Sequence, residues 1–171
     1  VSACYAGKLL ADLGATVLRI EPPGGDDLAR RYGPFPGDVP DAETGAFHLY
    51  YSANKSSVTL RLETPAGQRL FKALGSWADV LIDATDPGYL EGLGLGYPAL
   101  AAINPRLIDV TVTSLGSSGP YGAYLGSDLV SWHGSGSGHV YMGEAHRAPL
   151  HGAWYLASHW GGSNAACAAA I

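Results

Sequence analysis

Short runs rich in Val, Ile, Leu and Thr alternate with helix-patterned stretches at the spacing of βαβ units, and that alternation limits the possible folds more than any other feature of the sequence. The strand-like runs cover residues 16–20, 58–62, 79–83 and 107–113. Between them lie helix signals. Leu9, Leu10 and Leu13 share one helical face, and Gly14 follows where a left-handed C-cap is wanted. Thr64-Pro65 supplies a hydroxyl cap and a first-turn proline ahead of Leu70, Phe71 and Leu74, and Asp86-Pro87 repeats that signature. A further helix over residues 97–103 stops before Asn104-Pro105, and an Ala-rich helix starts near Ser158. Strands joined through helices pair in parallel, so the expected fold is α/β, a doubly wound and mostly parallel sheet covered by helices.

A chain of 171 residues can bury a core without disulfides or metal, and the expectation is one domain. Its net charge of −5 gives no basic footprint for a nucleic acid or an anionic membrane surface, so neither is an expected partner. Cys4 and Cys167 are too few and too far apart for a disulfide framework or a zinc knuckle. With no apolar run of membrane length and no secretory leader pattern, the cytoplasm is the expected location. Both ends read as cut, which points to a piece of a longer protein. Residues 21–45, rich in Pro, Gly and Asp, form a long surface excursion anchored by Tyr32, Phe35 and Phe47, and such loops carry binding work.

Each candidate for chemistry has a plainer reading beside it. The run Gly134-Ser135-Gly136-Ser137-Gly138 lacks the strand before it and the acidic residue after it that a dinucleotide fingerprint needs, so it reads as a flexible loop. Five histidines (His133, His139, His146, His151 and His159) fall late in the chain without the spacing of a zinc protease, and no metal site is expected. Tyr50, Tyr51, Trp132, Trp154 and Trp160 read as core or interface aromatics. Arg30-Arg31, close to Gly24-Gly25-Asp26-Asp27, are candidates for a phosphate contact. Asp128 reads as the cap of the helix that follows it.

Several strings carry a resemblance stronger than any single motif. They are residues 6–15 (AGKLLADLGA), 17–26 (VLRIEPPGGD), 54–60 (NKSSVTL) and 78–82 (ADVLI), followed by Pro87-Gly88, residues 93–97 (LGLGY), 104–108 (NPRLI) and Gly119-Pro120-Tyr121. In this order the chain resembles the amino-terminal half of the family III CoA-transferases, the group that includes formyl-CoA transferase, the carnitine CoA-transferase and α-methylacyl-CoA racemase. The resemblance implies a Rossmann-like large domain over residues 1–171, lacking its first strand, the small domain and the returning segment. It also implies an interlocked homodimer of full-length subunits, with acyl-CoA and a small carboxylic acid as substrates. Coenzyme A in this family runs along the strand ends, which by position puts Val1, Ser2, Ala3, Pro22, Leu60, Leu62, Ala84, Thr85, Asp86 and Gly92 near it.

Departures from the family pattern fall on its chemistry. The nucleophilic Asp of the transferases matches Ser158 at the start of the Ala-rich helix. That carboxylate attacks the thioester to give a mixed anhydride, which CoA thiolate opens; a serine ester, downhill from a thioester, would trap the acyl group. Asp128 is the reserve carboxylate. The His of the racemase branch matches Ser127, a family Arg for the CoA phosphates matches Gly92, and a family Asn matches Ala84. The leading expectation is CoA transfer between an acyl-CoA and a carboxylic acid. A noncatalytic CoA-binding or scaffolding half, such as one copy of a tandem fusion, is the alternative. A hydrolase or lyase on CoA esters using Ser158, His159 or His133 is a third.

Overall fold

The structure is a computed structural model that describes residues 1–24, 27–141, 144 and 146–171; Gly25 and Asp26, in the glycine-rich sequence near Arg30, lie outside the described residues. Four strands are present among these residues: β1 (Leu18–Glu21), β2 (Ser56–Thr59), β3 (Val80–Asp83) and β4 (Ile108–Thr111). All pairing between them is parallel. Leu18 opposes Ser56 in the β1–β2 pair, and Val80 opposes Ile108 in the β3–β4 pair. The strands thus fall into two two-stranded sheets rather than one continuous sheet. A cleft of about 780 Å³ lies between them, lined by the consecutive residues Leu18, Arg19 and Ile20 of β1 and Val80, Leu81, Ile82 and Asp83 of β3. Consecutive strand residues point to opposite faces, so the two strands meet this cleft with their edges.

The helices follow local rules. In α1 (Ser2–Asp12) the chain leaves through Gly14 at φ 101°, the left-handed closure that its glycine allows. Leu9 and Leu10 pack inward, whereas Leu13, expected on the same face, lies past the helix end and is exposed. α3 (Pro65–Trp77) starts as its sequence predicts, with Thr64 Oγ1 accepting from Gly67 N at 3.1 Å. The Asp86-Pro87 expectation is corrected by two residues: α4 (Tyr89–Gly92) begins after Gly88, which takes the left-handed conformation at φ 85°. α5 spans Tyr97–Ala101.

Two helices, α2 (Ala46–Ser52) and α7 (Ser137–Tyr141), lie where none was expected, and the helix expected after Asp128 is present as α6 (Asp128–Gly134). α2 is driven by burial of Phe47 and Tyr51. The glycine-serine run is no loop: its first residue ends α6 and its last two open α7. α8 (Leu156–Ala170) begins two residues before Ser158, so Ser158 sits in its first turn.

Phe71, Leu90, Leu95, Leu100 and Leu107 form one core, with Leu81 of β3 packed against them. Each such side chain, taken fully out of water, stabilises the fold by roughly 1.5–3 kcal/mol. On the other face Ala6 of α1 meets Ala165 and Ala166 of α8, and these small residues bring two helices close together. Gly162 marks the closest approach: a Cβ there would lie 2.6 Å from the Ser2 carbonyl oxygen. Gly162→Ala gains about 1 kcal/mol of helix propensity but forces overpacking worth about 1–3 kcal/mol, so a net loss is expected. Urea unfolding of the full-length protein checks it; an unchanged or raised midpoint would show that α1 yields without cost.

Candidate functional site

The first turn of α8 organises the site. Helix N-termini leave backbone N–H groups without intrahelical acceptors, and here a side chain from another helix accepts them. Asp128, the first residue of α6, accepts from Ser158 N at 2.8 Å through Oδ1 and from Ala157 N at 3.3 Å through Oδ2. The Ser158 hydroxyl also donates to Asp128 Oδ1, at 2.9 Å. Asp128 is therefore the cap of α8, not of its own helix. Ser127 caps α6, its Oγ accepting from Val130 N at 3.2 Å. Negative charge at a helix N-terminus is favoured by the peptide dipoles, so the position suits a carboxylate. The Asp128 side chain is only 6% exposed.

Two further contacts hold the same turn. His159 Nδ1 donates to the Tyr155 carbonyl at 2.7 Å, which leaves Nε2 to accept from the Tyr51 hydroxyl at 2.5 Å. Tyr51 is buried, and burial pushes its hydroxyl above the ordinary tyrosine range. Tyr155 is pushed up to about 12, first by its hydrogen bond with Tyr32 and then by burial. Rings of Tyr5 and Tyr51 pack with His159, and Tyr51 with Phe47, which in turn meets Tyr32 and Tyr155, tying α1, α2 and the long loop to the start of α8. Among the other aromatics Trp132 is buried, whereas Tyr50, Trp154 and Trp160 are exposed.

A cleft of about 280 Å³ opens over this turn, and its lining brings together Val1, Ser2, Ala84, Asp128 and Ser158. Hydroxyls of Thr113, Ser114, Ser131 and Tyr155 complete much of its wall. Among the described residues no Lys or Arg lines it. Of the remaining positions assigned to coenzyme A by resemblance, Ala3, Leu62 and Thr85 line the larger cleft, which Ala84 also borders. Leu60 is buried, and Pro22, Asp86 and Gly92 are exposed; these four line neither cleft. In β4, opposite Leu81 of β3, burial holds the Asp109 carboxyl above the usual carboxylate range, and the charges of Asp83 and Glu91 add to that push. No group of three metal-ligating side chains occurs among the described residues.

Arg30 proves to be committed to the fold, which corrects the expectation of a phosphate contact. Its Nε donates to Glu21 Oε2 at 2.7 Å and its Nη1 to Glu43 Oε1 at 2.6 Å, because the long loop folds back over the end of β1. Arg31 is exposed. Sequence reasoning gave no role to His151, whose Nε2 lies 3.9 Å from Asp128 Oδ2. Only the clustering of histidines late in the chain hinted at it.

A parallel α/β scaffold with a small cleft over a helix N-terminus defines a broad class of ligand-binding domains. Comparison with known proteins narrows it. The model of CoA-transferase family III matches residues 1–171, and the chain belongs to that family. It is 45% identical over 125 residues to the succinyl-CoA:(R)-benzylsuccinate CoA-transferase subunit BbsE of Thauera aromatica, covering 73% of this chain and 30% of that protein. It is 46% identical over 122 residues to the succinyl-CoA–L-malate CoA-transferase beta subunit of Chloroflexus aurantiacus, covering 71% of this chain and 29% of that one. The crystal structure of a CaiB/BaiF family protein from Brucella suis superposes with a TM-score of 0.85 at 32% identity, over 99% of this chain and 44% of that one. Rv3272 of Mycobacterium tuberculosis gives 0.82 at 34% identity, over 98% and 45%. The matched region spans about three-tenths of the first relatives' length and under half of the solved chains.

Proposed function

We propose that this chain is part of the large, coenzyme A-binding domain of a CoA-transferase that moves CoA between an acyl-CoA and a carboxylic acid. The match of the family model to all 171 residues is the observation that carries this reading. The relatives' names, succinyl-CoA:(R)-benzylsuccinate CoA-transferase among them, support the same substrate classes. The full-length subunit is read as an interlocked homodimer in the cytoplasm; no helix among the described residues is long and apolar enough to cross a membrane. CoA lies along the strand ends near Val1, Ser2, Ala3, Leu62, Ala84 and Thr85, with Pro22, Leu60, Asp86 and Gly92 further along its path. Its thioester meets the cleft at Ser158.

A second reading has a specific observation behind it. The Ser158 hydroxyl is tied to Asp128, and both oxygens of Asp128 are engaged by the start of α8. Among the described residues Asp128 is the one carboxylate lining the small cleft. A noncatalytic subunit, working beside a partner that carries the anhydride-forming carboxylate, fits this arrangement. Two relatives are themselves named as subunits.

The test uses the full-length protein with a panel of acyl-CoA esters and free carboxylic acids, following CoA-ester exchange by mass spectrometry. Exchange is expected, and loss of exchange in Asp128→Asn would assign the carboxylate. No exchange across the panel while acyl-CoA stays bound would sink the transferase reading in favour of the noncatalytic subunit.

A further inference from the structure

We propose that the cleft between the two sheets is the seat of a fifth strand, supplied by the segment of the full-length subunit that leads into Val1 and hydrogen-bonded to both β1 and β3, which joins the two sheets into one. This rests on the reading of the chain as part of a longer subunit. The ladders show which backbone groups await a partner. Ser56 N donates to the Val17 carbonyl and Leu60 N to the Glu21 carbonyl, each at 3.0 Å, so Val17, Arg19 and Glu21 turn their C=O and N–H groups towards β2. Backbone groups alternate sides along a strand, and those of Leu18 and Ile20 therefore point away from β2. In the second sheet Ile108 N donates to the Asp79 carbonyl at 2.9 Å and Val112 N to the Asp83 carbonyl at 2.7 Å, which turns the groups of Val80 and Ile82 away from β4. All four of these residues line the cleft. Strand edges so placed inside a fold are a template for another strand, since N–H and C=O groups shut away from water need partners.

The start of α1 fixes which segment arrives. Val1 and Ser2 line the small cleft together with Ala84, the residue after β3, and Val112, the residue after β4. The chain therefore enters α1 from the end at which β3 and β4 stop. A strand ending there runs in the direction of β3, and α1 then carries the chain back to β1; strand, helix, strand is the crossover that parallel neighbours require. β1 and β3 are four residues each, so the slot takes a strand of about that length. Its end emerges at the small cleft, which the residue before Val1 therefore also borders.

The walls favour an apolar strand over a charged ligand. Gly7 and Leu10 of α1 cover one side of the cleft, and Phe71 and Leu100 the other. A strand buried on both faces reads as a continuous run of Val, Ile and Leu, and that is the sequence expected before Val1. The Lys and Arg among the described residues of the wall are already engaged, Arg19 by Asp27 and Lys55 by the Cys4 carbonyl at 2.6 Å. An anionic ligand would have to displace those contacts, whereas a strand leaves them in place.

Hydrogen exchange is measured residue by residue on the full-length protein without substrate. The Leu18, Ile20, Val80 and Ile82 amides are expected to exchange within about tenfold of their ladder neighbours Arg19, Glu21, Leu81 and Asp83, and at least roughly 100-fold more slowly than in an unstructured peptide. Rates close to those of the unstructured peptide would overturn the proposal. The crystal structure of the same protein identifies the occupant. Residues leading into Val1, paired with both edges, are the expected result; a cleft filled by solvent, a bound molecule, another part of the chain or a strand of a second copy overturns it. A subunit whose sequence begins at Val1 would remove the reading of a longer chain, and the proposal with it.

Discussion

Glu21→Ala is expected to lower the unfolding free energy by about 3 kcal/mol, the low end of the cost of breaking a buried ion pair. Glu21 closes β1 and is only 4% exposed. It accepts from Arg30 Nε at 2.7 Å, from Arg30 Nη2 at 3.1 Å and from Ser57 Oγ at 2.5 Å, with Arg19 Nη2 at 3.5 Å. Removing the carboxylate leaves two guanidinium groups short of a partner in a region closed to water. The low end applies because both keep others: Arg19 pairs with Asp27 and donates to Ser52 Oγ at 2.7 Å, and Arg30 keeps Glu43. The same contacts set the pH window. Hydrogen bonding from Arg30, then from Ser57, and the charge of Arg19 hold Glu21 down to about 2 against the opposing effect of burial. A carboxyl whose folded value lies below its unfolded value near 4.3 contributes stability that is fully present above that value and fades as pH falls towards 2. Denaturant unfolding at pH 7 and pH 3 should therefore show a gap between wild type and Glu21→Gln that narrows at pH 3. Equal midpoints at pH 7 would show that the loop holds without this carboxylate.

How far the sequence reveals the molecule depends on the range of the interactions involved. Thr64-Pro65, Gly14 and the strand runs act within a few residues, so their elements appear close to where they are read. β2 is the exception, pairing at residues 56–59 rather than 58–62, because register is set by β1 and not by local propensity. α2 carries no cap and no amphipathic run of useful length; it exists because Phe47 and Tyr51 find Tyr155 and His159, over a hundred residues away. Asp128 shows the same limit at the site. Local rules make it the cap of its own helix, but Ser127 occupies that place and frees the carboxylate to reach the first turn of α8, 29 and 30 residues on. Arg30 looked available for a phosphate because its partners Glu21 and Glu43 lie 9 and 13 residues away, across a loop whose path no short motif encodes.

Ser158→Asp in the full-length protein is expected to raise CoA exchange roughly 100-fold or more, whereas Ser158→Ala should leave it within about threefold, since only the first restores an anhydride-forming nucleophile. The thermodynamics decide the direction. A serine ester holds its acyl group below the thioester, but an aspartyl anhydride lies above it and passes the acyl group on. The position is already organised for an acid, because Ser158 occupies the first turn of α8 where developing negative charge meets the positive end of the helix. The obstacle is Asp128, now 2.9 Å from the Ser158 hydroxyl. Two carboxyl groups so close ionise in two coupled steps, the second raised, and the new nucleophile acts only once it is ionised. The gain should therefore be larger at pH 8 than at pH 6, and adding Asp128→Asn should flatten that dependence by removing the competing charge. Exchange that stays at the wild-type level at every pH, with acyl-CoA bound, would mean that the anhydride-forming carboxylate does not come from α8, which leaves Asp128 of α6 or a partner subunit to supply it.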